Sequence, residues 1–173
     1  MNPSSLVASI ERIRRKMAQK EIYLGKPLEF SELKSFEARC NILLPEDYRL
    51  FLLKIGDGGD GPPEYGLKRL TEAVTGAMQP SQLFPLSNCW VWEDEDELDE
   101  NLLEAVYRSG FINLGTDGCG EDWILVVSGK AYGTIWQRSD VGVEPCVPIR
   151  SFISWYEHWL DGGKNWFDHA YLD

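Results

Sequence analysis

The sequence predicts an α+β fold: one mostly antiparallel central sheet, flanked by N-terminal helices and closed by a C-terminal helix. Three observations predict it. Residues 111–137, FINLGTDGCGEDWILVVSGKAYGTIWQ, carry the densest strand signals in the chain. Within them Trp123-Ile124-Leu125-Val126-Val127 has no polar face, so it should be covered on both sides, as a central strand is. Apolar residues also recur at helical spacing near both ends: Leu6, Ile10, Ile13 and Met17 at the start, and Phe152, Trp155, Tyr156, Trp159 and Leu160 towards the end.

In chain order, Ser4 or Ser5 is expected to cap a first helix whose outer face carries Arg12, Arg15, Lys16 and Lys20 as a solvated face. Ser31 is expected to cap a second, with Leu33, Phe36 and Cys40 turned inward. A third runs from about Leu44 to Gly56. Pro45 suits its first turn, Glu46 and Asp47 complement its positive N-terminus, and Tyr48, Phe51, Leu52 and Ile55 form its buried stripe. Residues 65–70 and 83–86 are short strand candidates. In residues 111–137 the runs 123–127 and 131–137, joined by Ser128-Gly129-Lys130, read as a hairpin. Residues 138–148 form a loop or edge strand. Ser151 should cap the last helix, Gly162-Gly163 should stop it, and Trp166, Phe167, Ala170 and Tyr171 belong to a tail that packs back or meets a partner.

The 173 residues are expected to form one domain, with residues 1–30 as an N-terminal helical extension and residues 161–173 as a C-terminal tail. No apolar run is long enough to span a bilayer, and the N-terminus lacks a signal-peptide core, so a cytoplasmic protein is expected. The four cysteines, Cys40, Cys89, Cys119 and Cys146, are not spaced as metal ligands and are expected to be reduced and mostly buried, with no metal and no cofactor. Residues 57–63, Asp-Gly-Gly-Asp-Gly-Pro-Pro, lack the lysine of a phosphate-binding loop and read as a tight turn. No catalytic constellation stands out: His158 lies off the helical stripe, His169 stands near the end, and neither has the context of a zincin or a nucleophile triad. The chain reads as a non-enzyme.

Charge is the most informative bulk property. The formal net charge is -11, and residues 71–107 hold nine acids and no Lys or Arg. Seven of those acids lie in eight residues, Glu93, Asp94, Glu95, Asp96, Glu97, Asp99 and Glu100. Such a run cannot be buried without neutralising it, so it is either a solvated loop or an electrostatic docking surface for a basic protein. It disfavours nucleic acid and anionic membranes as partners. Trp90 and Trp92, immediately before it, would share one face of a strand, either capping the core or anchoring a partner. These nine residues, Trp90 to Glu100 without Val91, Leu98, are the candidate partner-binding set. An exposed Trp pair would also suit a carbohydrate.

The order of these signals resembles the SUKH superfamily, named partly after fungal cell-wall regulators of the Smi and Knr type. The resemblance is carried by Leu44-Pro45-Glu46-Asp47-Tyr48-Arg49-Leu50-Phe51-Leu52 with Gly58-Gly59, by Phe111-Ile112-Asn113-Leu114-Gly115 with Gly118, Glu121-Asp122 and residues 123–133, and by Ser151-Phe152 with Trp155. It spans residues 31–160. The family often has Asn before the Gly-Gly pair where this chain has Asp57, and its common pattern does not require the acidic stretch. The resemblance implies helices flanking a mostly antiparallel sheet and a non-catalytic role. Bacterial members look like immunity proteins that bind and neutralise a cognate toxin, often a nuclease; the fungal relatives are regulatory scaffolds. It therefore implies a cognate toxin domain as the partner; the acidity of this chain calls for a basic one, and the chain is expected to be a monomer or weak homodimer.

Overall fold

The computed structural model describes residues 3–168 and shows an α+β single-domain fold. Three helices come first: α1 (Pro3–Lys20), α2 (Phe30–Cys40) and α3 (Glu46–Lys54). Then follow β1 (Trp90–Val91), α4 (Glu100–Arg108), β2 (Phe111–Gly118), β3 (Glu121–Val126), β4 (Ile135–Arg138), β5 (Gly142–Pro145) and α5 (Phe152–Leu160). The sheet order is β1-β5-β4-β3-β2, antiparallel throughout.

The apolar run 123–127 is covered on both faces because strand residues alternate. Trp123, Leu125 and Val127 join Ile112, Leu114 and Ile135 in the larger core beneath α1, α3 and α5. Ile124 and Val126 join Phe111, Trp136 and Val143 in a smaller core on the opposite face, roofed by Phe84 and Val106 of α4. Trp123, Trp136 and Trp155 are all fully buried.

Three consecutive hairpins, β2–β3, β3–β4 and β4–β5, build this sheet, and β1 pairs onto β5. In β2–β3 the two-residue loop Cys119-Gly120 joins Gly118 to Glu121, with φ of 51° and 83°. Paired positive φ values suit a tight hairpin whose twist matches its strands. Strand β2 runs through Gly115 by way of a bulge: register slips between Asn113 and Gly115, and the Asn113 side chain accepts the Gly115 N–H at 2.9 Å. A side chain at Gly115 would sit 2.5 Å from the Gly66 carbonyl, so the loop 62–68 can lie against β2 only because glycine stands there. The β3–β4 hairpin matches expectation, but β4 starts at Ile135. Residues 131–133 form the turn, and Tyr132 donates its hydroxyl to the Leu43 carbonyl at 3.1 Å.

Several expectations are corrected. Residues 65–70 and 83–86 are not strands. Leu67 makes one bridge to Gly59, and Pro85, with no N–H, follows a single Phe84 N–H bond to Ser128. Strand β5 is not at the edge, because β1 pairs Trp90 with Val143 and covers it. Two of the expected serine caps are not caps: Ser4 and Ser5 lie within α1, and α2 starts after Glu29, whose N–H donates to Glu32 at 2.7 Å. Ser151 does stand at the N-cap of α5, its carbonyl accepting the Trp155 N–H at 2.9 Å, but its hydroxyl is buried and makes no capping bond among the described residues. Pro45 flanks α3 as its cap rather than opening its first turn, and Ile55, not Gly56, ends it. Cys89 and Cys119 are exposed, Cys40 is half-buried and only Cys146 is buried; all four are free. Burial pushes the Cys146 thiol up to about 12.

The basic face of α1 is not wholly solvated. Arg12 and Lys16 reach Glu157 on α5 at 2.9 and 3.1 Å, and Lys16 also pairs with Asp161. Trp166 and Phe167 pack back as expected, against Trp123 at 5.4 and 6.0 Å between ring centroids. Ala170, Tyr171 and His169 lie outside the described residues.

Candidate partner-binding surface

The acidic segment leaves the sheet at its β1 edge. Strand β1 is two residues long because the chain turns at once into a 3-10 turn, Trp92–Asp94. Trp90 and Trp92 therefore do not alternate along one strand, yet their rings still meet, with centroids 5.3 Å apart. Both are half-buried against the smaller core. Each indole N–H is used: Trp90 donates to Glu95 at 3.1 Å and Trp92 to the Asp140 carbonyl at 2.8 Å. The Trp92 and Glu93 N–H groups both donate to the Val141 carbonyl, at 3.0 and 3.3 Å. The pair thus clamps the start of the segment to the β4–β5 turn.

The far end is held by α4. Asp99 is its N-cap, accepting the Asn101 and Leu102 N–H groups, both at 3.0 Å. That bond satisfies two otherwise orphaned donors, and the positive helix end favours the neighbouring Glu100. Seven carboxylates in eight residues repel one another, so a braced frame at both ends is what keeps them on one ledge. Glu93, Glu95, Asp96, Glu97, Asp99 and Glu100 are exposed. The Asp94 side chain lies outside the described atoms. Among the described residues, none of these carboxylates forms an ion pair with Lys or Arg.

Beneath the ledge sits Arg138, a residue the sequence reading passed over. Only 7% exposed, it pairs with Asp122 at 2.8 Å and lies over the rings of Tyr107 and Phe111 at 4.5 and 5.0 Å. Its guanidinium also points at the carbonyls of Val106 and Tyr107, both at 3.4 Å, at the negative end of α4. Tyr107 in turn donates to the Ser139 carbonyl at 3.2 Å and packs on Trp92 at 5.8 Å. Burial pushes the Tyr107 hydroxyl up from its ordinary value. The signal for Arg138 was its place in the strand ladder, opposite Asp122, which can be read only once the register is known.

The other sequence candidates have structural surroundings. Asp57 is buried and accepts the Leu70 N–H at 2.7 Å; burial raises its carboxyl above the ordinary value. His158 Nε2 lies 3.2 Å from the Asn165 carbonyl, and burial lowers its imidazole. Among the described residues no group of three or more His, Cys, Asp or Glu could hold a metal, and no helix is long and apolar enough to cross a membrane.

No curated protein and no solved structure matches the chain. A family model does: the SMI1 / KNR4 family (SUKH-1) matches residues 27–158, from the approach to α2 to within α5. That stretch contains the whole sheet, the Gly-Gly loop and the acidic ledge. The chain therefore belongs to the SMI1 / KNR4 family (SUKH-1).

Proposed function

We propose that this protein is a non-catalytic immunity protein that binds and neutralises a cognate toxin domain, a basic nuclease. The observation that carries the reading is the ledge 93–100: seven carboxylates in eight residues, clamped at one end by Trp90 and Trp92 and capped at the other by Asp99. A nuclease must attract phosphate and so presents positive charge. An acidic surface held in place can cover that charge and speeds encounter with it. Membership of a family whose bacterial members look like immunity proteins supports the same reading. On this reading the protein works in the cytoplasm, with Trp90 and Trp92 as apolar flank and Glu93, Asp94, Glu95, Asp96, Glu97, Asp99 and Glu100 as contact or steering residues.

The test is co-expression. The C-terminal domain of the large open reading frame immediately upstream is expressed with and without this chain. Killing by the domain alone, tolerance in the presence of the chain, and co-purification of the two are expected. A harmless domain, or equal killing in both cases, overturns the immunity reading in favour of a regulatory scaffold.

A further inference from the structure

A second concave surface lies at the opposite edge of the sheet. The loop 59–67 runs along β2, where Tyr65 N–H donates to Thr116 at 3.2 Å and Lys68 N–H to Leu114 at 2.8 Å. Between this loop and the end of α5 are two adjoining hollows, about 480 and 410 Å³, which share Glu64 and Trp159 as walls. Trp159 and Trp166, both half-buried, face them, and Tyr65 stands at the rim, 76% exposed.

The walls are fixed before anything binds. Gly59 bridges both Leu24 and Leu67, and the Asp60 carbonyl accepts the Tyr156 hydroxyl at 2.8 Å. Pro62 and Pro63 stiffen the next two positions. The Tyr65 ring rests on Gly118 in the β2–β3 turn, where a side chain would come within 2.9 Å of it. Trp166 is held against Trp123 and Trp155 at 5.4 and 6.0 Å. A preformed wall lowers the ordering cost of binding.

The charge of the lining is one-sided. Among the described residues, Asp60, Glu64 and Asp117 line the hollows against one cation, Lys164. Asp60 and Asp117 are oriented by the backbone N–H groups of Tyr23 and Glu64, at 2.8 and 2.6 Å. The exposed Glu64 carboxylate makes no ion pair or hydrogen bond among the described residues. Anions are disfavoured here. A cation gains the carboxylates, and the stem of a long basic side chain gains the aromatic walls Trp159, Trp166 and Tyr65.

We propose that this groove is a second docking site, taking an arginine- or lysine-bearing loop of a protein partner at the sheet edge opposite the acidic ledge. The proposal deepens the reading of the chain as a binder of a basic domain and rests on it for the partner's identity, but not for the chemistry. The groove and the ledge would then contact a partner at two separated places, which sets register as well as attraction.

The test uses the full chain and a tri-arginine peptide, with tri-glutamate as control, followed by NMR. The indole N–H signals of Trp159 and Trp166, assigned with Trp159→Phe and Trp166→Phe variants, should shift saturably with tri-arginine and not with tri-glutamate. Glu64→Lys should weaken that binding about tenfold, by charge reversal at the shared wall, with the remaining amide spectrum unchanged. Shifts confined to residues 93–100, or the same indole shifts produced by a cell-wall oligosaccharide, overturn the proposal. Because the probe is a peptide, its failure with co-expression protection intact removes the groove alone. Groove binding without protection removes the immunity reading alone.

Discussion

Asp47 stands in the first turn of α3 but caps α5. One carboxylate oxygen accepts its neighbour Tyr48's N–H at 2.9 Å, and the other accepts the Ile153 N–H at 3.0 Å. The residue is 8% exposed, so nothing from solvent replaces those bonds readily. Asp47→Ala should cost about 1–3 kcal/mol, the range for leaving a buried donor unsatisfied. Asp47→Asn, which keeps an acceptor oxygen, should cost less. Urea unfolding midpoints of the two variants check this; equal midpoints for Asp47→Ala and the parent would mean the cap is idle. Local rules place Ser151 correctly at the N-cap but would give its hydroxyl the free N–H, since the best oxygen just before an apolar stripe usually takes that role. Those rules have no access to an oxygen 106 residues away. The same blindness hid Arg138, whose partners come from α4, β2 and β3. Spacing along the chain did show which residues are buried: Leu33, Phe36, Tyr48, Phe51 and Leu52 all are. It did not show which polar side chains tie the elements together.

Helices α1 and α5 are joined by charge as well as through the larger core, to which Leu6, Ile10 and Ile13 of α1 and Phe152, Tyr156 and Leu160 of α5 belong. The hydrogen bond from Arg12, followed by that from Lys16, holds the Glu157 carboxyl below its ordinary value of 4.5. A carboxyl lowered on folding stabilises the folded state fully above that ordinary value. The contribution then fades as pH falls through the lowered one. Thermal stability should therefore decline in acid, and Glu157→Gln should decline less steeply over that window while being less stable near neutrality. Melting temperatures from pH 7 to pH 3, at low and high salt, check it; parallel curves for parent and variant would sink the assignment. Short elements were the hardest to read for a related reason. The two-residue β1 carries no periodicity of its own and is a strand only because β5 lies beside it. The run 123–127 was legible because a strand buried on both faces has no polar alternation to confuse, whereas the β2–β3 turn at Cys119-Gly120 was obscured by the glycines on either side of Cys119, which leave its limits open.

At the scale of the whole molecule, charge and stability are separated. The two cores lie on the faces of the sheet, while the densest acidity hangs from the β1 edge, outside both. Substituting Glu93, Asp94, Glu95, Asp96 and Glu97 by their amides removes five formal charges, and the described side chains among them, Glu93, Glu95, Asp96 and Glu97, belong to neither core. Gln at position 95 keeps an acceptor for the Trp90 indole, and Asp99 is left in place because it caps α4. The variant should melt at the parent's temperature or slightly above it, since like charges no longer repel. Its association with a basic partner should slow by about tenfold or more at low ionic strength. The two proteins should converge as salt rises and the screening length shrinks to about 3 Å near 1 M. Dissociation should change little, because steering acts on encounter rather than on the docked contact. Stopped-flow tryptophan fluorescence across a salt series measures both rates on one sample. If the association rate and its salt slope match the parent, the ledge is a solvated loop and takes no part in finding the partner. If dissociation speeds up instead, the carboxylates sit inside the interface rather than beside it. The Trp90–Trp92 clamp then becomes the next place to substitute, because it fixes where those carboxylates stand.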